Sequence, residues 1–182
     1  MIMQTDKLIQ SLTDASNKVL NKAEYFINLD IKSLTFKPDP DSWNVLECLE
    51  HLNLYYNFYL PEIANSIEES KSTPVTIFKP GFLGNYFANS MLPKDKLNKM
   101  KTFKDKNPLN GDLDKSVITA FIENQKTFAD LIRLTNSVNL NKVRIKISIA
   151  PFIKLKLGDT LRFITNHNIR HLKQIDTLLK AQ

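Results

Sequence analysis

Apolar residues recur at intervals of three and four along most of this chain, the spacing that lays a stripe down one side of an α-helix. From about Met3 to Leu29 the stripe is Leu8, Leu12, Ala15, Val19, Ala23 and Phe26, with Lys7, Asp14, Lys18 and Lys22 on the far face. It ends before LTFKPDPDS, whose two prolines cannot donate the hydrogen bonds a helix needs. Asp41 or Ser42 is the expected N-cap of a second helix, Trp43 to about Glu69, striped by Val45, Leu49, Leu52, Tyr56, Tyr59, Ile63 and Ile67. Pro61 lies inside that run and predicts a kink or a break. A third helix, from about Asp114 to Thr135, turns Ile118, Phe121, Ile122, Phe128, Leu131 and Ile132 inward, with Asp112 or Asp114 as its cap. A fourth, Thr160 to Leu179 with Asp159 as cap, carries Leu161, Ile164, Leu172, Ile175 and Leu179.

Between the second and third helices the pattern is lost from Ser70 to Leu113, where prolines and glycines punctuate a long connection. The apolar piece FLGNYFANSML within it reads as a short helix packed over the bundle as a lid, with membrane contact as the less favoured alternative. Before the fourth helix, Val143, Ile145 and Ile147 alternate with Arg144, Lys146 and Ser148 at the period of a strand, for which a helical bundle offers no obvious partner. Four long amphipathic segments joined by connections of unequal length predict an all-α fold, a four-helix bundle with long crossover connections.

Composition narrows the picture. A chain of 182 residues with 42% hydrophobic residues and only 4 glycines suits one compact helical domain spanning 1–182. The single cysteine, Cys48, rules out an intrachain disulfide, so a reducing cytoplasm is the expectation. No stretch approaches the roughly 18 consecutive apolar residues of a spanning helix, and the N-terminus lacks the apolar run of a signal peptide; no membrane partner is expected. The net charge of +6 is concentrated in PKDKLNKMKTFKDKN, at Lys94, Lys96, Lys99, Lys101, Lys104 and Lys106. With one interleaved aromatic, Phe103, and no arginine or nucleic-acid motif, a solvated loop is favoured over nucleic-acid binding. An exposed apolar face on such a bundle makes a homodimer an expectation.

The chemistry lies in the 3 histidines. His167 and His171 are four apart in TNHNIRHLKQI, so a helix stacks their imidazoles on one face, in a row with Thr160, Gln174 and Leu178 beside the apolar stripe. His51 falls in a matching row on the second helix, with Asn44, Cys48, Tyr55 and Phe58. Three neutral imidazoles suit zinc, nickel, iron or copper, and three ligands leave a coordination position open for a small-molecule substrate. Packed histidines without a metal are the plain rival, and spacing alone leaves the two readings even. Glu47 and Glu50 are within a turn of His51 and are the candidates for a catalytic acid or base, Glu47 the better placed, although a solvated helix charge or an orienting role is the favoured reading of it. Tyr55 and Gln174 are candidate pocket residues, Trp43 reads as a packing anchor, and Cys48 reads as a small hydrophobe before a fourth ligand or a nucleophile. Metal binding should weaken as pH falls through about 6, where free imidazoles protonate.

The segments DSWNVLECLEHL and NHNIRHLKQI, with FKPGFLG and the run Lys101 to Pro108 between them, resemble the DinB-like (YfiT-like) superfamily of metal-dependent enzymes. The resemblance covers nearly all of the chain beyond the first helix. It implies a four-helix bundle that holds a divalent metal, commonly nickel or zinc, on one histidine of the second helix and two of the fourth, positions matched by His51, His167 and His171. Characterised members of that family include transferases and isomerases that use a low-molecular-weight thiol: bacillithiol, mycothiol or glutathione. The expected activity is therefore that of a metal-dependent hydrolase or a thiol-dependent S-transferase. The alternative is a non-catalytic binding or stress-response bundle with a vestigial metal site, which a pocket filled by Phe58 or Tyr55 would mark.

Overall fold

A computed structural model describes residues 2–93 and 101–182. Four long helices form the bundle: α1 (Thr5–Ile27), α3 (Val45–Glu68), α5 (Ser116–Leu134) and α6 (Leu157–Lys180). Two short helices, α2 (Ile31–Thr35) and α4 (Phe82–Ser90), lie in the connections. Both α1 and α3 pack against α5 and α6, so α1 and α3 occupy one diagonal of the bundle. The predicted stripes face inward: Leu8, Leu12, Val19, Ala23 and Phe26 of α1 are buried, as are Val45 to Ile63 of the α3 stripe and all six inward residues of α5. Ala15, Ile67 and Leu179, at the stripe margins, are only partly buried.

At the centre of this apolar core lies a polar network to which each bundle helix contributes one residue. Tyr56 donates its hydroxyl proton to Gln125 Oε1, and Asn168 Nδ2 donates to Tyr56 Oη at 2.5 Å and to Gln125 Oε1 at 3.2 Å. Gln125 Nε2 in turn donates to Ser16 Oγ at 2.6 Å and to the Ser16 carbonyl at 3.2 Å. Buried polar groups are costly unless satisfied, and these satisfy one another only in a single alignment of the four helices.

Several helix ends differ from expectation. The cap of α3 is Asn44, not Asp41 or Ser42: Asn44 Oδ1 accepts from Glu47 N at 2.8 Å, and a Glu47 oxygen accepts from Asn44 N at 2.8 Å, a reciprocal capping box. Ser42 is engaged instead in a turn on the Asp39 carbonyl. Pro61 does not break α3. It and Asn57, whose carbonyl loses its donor, both lie on the exposed side, where water can replace the missing bond. For α5, Asp114 Oδ1 accepts from Ser116 N at 2.8 Å. Asp159 does not cap the last helix, which begins two residues earlier at Leu157.

The strand-like segment has a partner, which is its own continuation. β3 (Arg144–Ile147) pairs antiparallel with β4 (Ala150–Lys156), with a bulge between Lys146 and Ile147, and Ile145 and Leu155 turn inward under the bundle. A second small pairing joins β1 (Met3–Gln4) to β2 (Ile77–Phe78). The piece FLGNYFANSML is helical, as α4, and is bound to α6 by polar contacts. Gly81 N donates to Asp159 Oδ2 at 2.7 Å, Arg162 donates to Asn85 and Asn89, and Asn166 Nδ2 donates to the Ala88 carbonyl at 2.8 Å. Gly84 lets the two helices approach, since a Cβ there would lie 2.5 Å from Asp159. No helix among the described residues is long and apolar enough to cross a membrane.

Candidate metal centre

Between α3, α4, α6 and the β-hairpin lies a cavity of about 1110 Å³ with His51, His167 and His171 in its wall. All three histidines are buried, and their ligand nitrogens lie within 4.8 Å of one another. The Nε2 atoms converge: His167 Nε2 lies 3.2 Å from His51 Nε2 and 3.1 Å from His171 Nε2. Bonds of 2.0–2.1 Å to a tetrahedral zinc ion would set such nitrogens about 3.3 Å apart.

The outer nitrogens settle the tautomers. His51 Nδ1 lies 2.6 Å from the Lys106 carbonyl, which can only accept, so the proton is on Nδ1 and the Nε2 lone pair is bare. His171 Nδ1 donates to Gln174 Oε1 at 3.1 Å, which leaves its Nε2 bare too. Two lone pairs therefore point at His167 Nε2, and a single proton there can satisfy only one of them. Burial is the largest influence on all three rings: it lowers the His51 pKa to about 4 and holds His167 and His171 well below the ordinary value. Neighbouring positive charge, including Arg170 beside His167 and His171, acts in the same direction. Converging, neutral imidazoles are what a divalent cation requires, and these three could hold one once a cation displaces the proton from His167 Nε2.

Aromatic rings enclose the cluster. Trp43 packs on His51 and His171 with centroids 4.7 and 5.9 Å away, Tyr55 meets His51 and His167 edge-on at 5.0 and 4.8 Å, and Phe163 stacks on His167 at 5.7 Å. Burial pushes the Tyr55 hydroxyl up to about 12, so it stays protonated. Tyr55 and Gln174 both line the cavity. Trp43 packs against the core, as a packing anchor should, and also forms part of the cavity wall, with its Nε1 donating to Asn107 Oδ1 at 3.2 Å.

Other candidates lie elsewhere. Glu47 does not line the cavity; its oxygens accept from Asn44 N, from Asn110 N at 2.5 Å and from Lys37 Nζ at 2.8 Å. Glu50 accepts from Asn53 Nδ2 at 3.3 Å and is also absent from the wall. Cys48 is fully buried in the core, and burial raises its thiol pKa, which keeps it protonated. Lys94, Lys96 and Lys99 lie outside the described residues, whereas Lys101 and Phe103 line the cavity. Tyr86, Phe87 and Met91 of α4 and its C-terminal end form another wall, so α4 covers the site as a fixed element clamped to α6. The contact that sequence reading missed is the Lys106 carbonyl; every residue carries such a group, so no side-chain pattern announces it.

The arrangement is that of a helical-bundle protein with a three-histidine centre open to a cavity. A family model of the DinB superfamily matches residues 21–175, and the chain belongs to that superfamily. Nothing matches in comparisons with curated proteins or with solved structures.

Proposed function

We propose that this protein is a metal-dependent enzyme that holds a divalent transition metal, zinc or nickel, on His51, His167 and His171 and transfers a small thiol to an electrophilic substrate. The observation that carries the reading is the convergence of three Nε2 atoms, two with tautomers set by outer acceptors, on the wall of a large cavity. When bound, the ion supplies Lewis acidity, which favours the thiolate form of a thiol near neutral pH. The chain's own part is orientation and exclusion of water. The Lys106 carbonyl and Gln174 hold the Nδ1 protons, and Trp43, Tyr55 and Phe163 shield the imidazoles.

The character of the wall favours transfer over hydrolysis. Hydrolysis calls for a positioned acid or base, and the carboxylates lining the cavity among the described residues are Asp39 and Asp41, both exposed. A thiol transfer needs none: the S–H proton passes to solvent, and sulfur bonds to carbon as the leaving group departs. Lys101 and Arg170 in the wall suit an anionic thiol. Among the described residues, Phe58 is absent from the cavity lining and Tyr55 forms part of the wall without filling the space, which supports an active site over a filled, non-catalytic pocket.

Elemental analysis of protein purified without chelator tests the metal. One divalent ion per chain in the wild type and loss of it in His51→Ala and His167→Ala are expected; absence from the wild type would sink the reading. Loss of free thiol on incubation with an electrophile and bacillithiol, mycothiol or glutathione tests the reaction. Turnover of an ester or amide with no thiol present would favour hydrolysis instead.

A further inference from the structure

The residue that sequence reading offered as a base has another occupation. Glu47 is 1% exposed, and its two oxygens collect three donors: Asn44 N, Asn110 N and Lys37 Nζ. Two of these belong to the start of α3 and the chain before it, but Asn110 belongs to a strap more than sixty residues away, separated by 63 positions. Lys37 Nζ donates at 3.0 Å to Asn110 Oδ1 as well, so both arms of Asn110 are held. Asn110 has φ of 60°, a left-handed conformation that asparagine tolerates better than most residues but that still requires outside support. From that anchor the strap runs back past Asn107, which accepts from Trp43 Nε1, to Lys106, whose carbonyl accepts from His51 Nδ1. Glu47 and His51 are one turn apart on α3, so the same helix supplies the anchor and the ring that the strap orients.

We infer that Glu47 is a positioning residue: by anchoring the strap through Asn110, it places the Lys106 carbonyl that fixes the His51 tautomer and aims the Nε2 lone pair at His167. An imidazole whose outer nitrogen lacks a fixed acceptor shares its proton between both nitrogens and turns about its bonds, and fewer molecules then present a bare Nε2. A carboxylate suits the task because it accepts all three donors at once; a glutamine offers one acceptor oxygen and sets an N–H donor against another donor. Its negative charge also balances Lys37, whose side chain is four-fifths buried.

The inference rests on the metal-centre reading, yet its test does not. In metal-free protein labelled with ¹⁵N, two-bond proton–nitrogen correlation spectra report the tautomer of each histidine. The wild type is expected to show His51 protonated on Nδ1. Glu47→Ala should shift His51 toward a mixture of tautomers while leaving His171 unchanged, and should weaken zinc binding, measured by chelator competition, by about 10- to 100-fold. Asn44→Ala is the control: it removes the side-chain half of the capping box and leaves every strap contact in place, so it should lower stability without moving the tautomer or the zinc affinity. If Glu47→Ala does not fold, Glu47→Gln gives the same comparison with a smaller shift of the same sign. An unchanged His51 tautomer in a folded Glu47 variant, or an equal shift in Asn44→Ala, would overturn the inference. A tautomer that shifts as expected in a protein that binds no zinc would uphold it and refute the metal centre instead.

Discussion

Gly84 and Gly158 show how single positions are constrained by neighbours that no local pattern reveals. A Cβ on Gly84 would lie 2.5 Å from Asp159, and one on Gly158 would lie 2.6 Å from the Phe78 ring. Neither site has room, because both neighbours are themselves buried. Gly84→Ala is expected to cost about 1–3 kcal/mol through overpacking, read as a lower denaturant midpoint with an unchanged slope. His51 provides a test of protonation at the same scale. Its pKa is about 4 when folded, against about 6.5 for a free imidazole. Between those values the unfolded chain binds a proton that the folded chain refuses, so stability rises with pH through the window and falls as pH drops below about 6.5. For metal-free protein, His51→Gln should lessen the slope of unfolding free energy against pH by about one proton near pH 5 and by about half a proton at pH 6.5. If the three histidines hold a metal, the same burial should extend its binding to lower pH than the loss near pH 6 that unperturbed imidazoles imply, since the donors remain neutral.

At the scale of elements, α4 owes its place to α6 more than to its own sequence. It is only 9 residues long and exposes Phe82 and Tyr86, so it would not persist alone. Arg162 holds it by donating to Asn85 at 3.0 Å and Asn89 at 3.2 Å while also donating to Asp159 at 3.3 Å. Arg162→Ala should destabilise the protein by about 3 kcal/mol, because it leaves Asp159 buried with less compensation. It should also speed proteolytic cleavage within α4, and a cleavage pattern like that of the wild type would contradict this account of the clamp. The strand period at Val143–Ile147 was readable, but its pairing was not. The partner strand, APFIKLK, contains a proline and has mixed exposure, so it carries little alternation of its own.

For the whole molecule, the apolar stripes make a bundle favourable but do not choose one alignment of its helices; many rotations bury similar area. The network of Ser16, Tyr56, Gln125 and Asn168 discriminates among them, because any other alignment strands buried donors and acceptors. Tyr56→Phe removes the hydroxyl that links two of the others and should cost about 1–3 kcal/mol, measurable by urea unfolding. A similar loss in Gln125→Leu, with less than additive loss in the double variant, would show that the residues act as one unit.

How much of this was legible before the structure follows from where the information resides. Helical period placed four bundle helices and set His51, His167 and His171 on core-facing flanks, because side-chain direction in a helix depends only on spacing. The caps were less legible, since Asp41, Ser42 and Asn44 are all suitable residues and the choice is decided by which backbone amides they reach. What only the tertiary structure decided was the chemical state of the site. The approach of His51 Nε2 to His167 and the Lys106 carbonyl that orients His51 join residues 116 and 55 positions apart in the chain, and the burial that keeps the rings neutral is likewise a product of packing. Glu47 illustrates the division: its distance from His51 is written in the sequence, but its partner Asn110 exists only in the fold, and with it the difference between a base and an anchor.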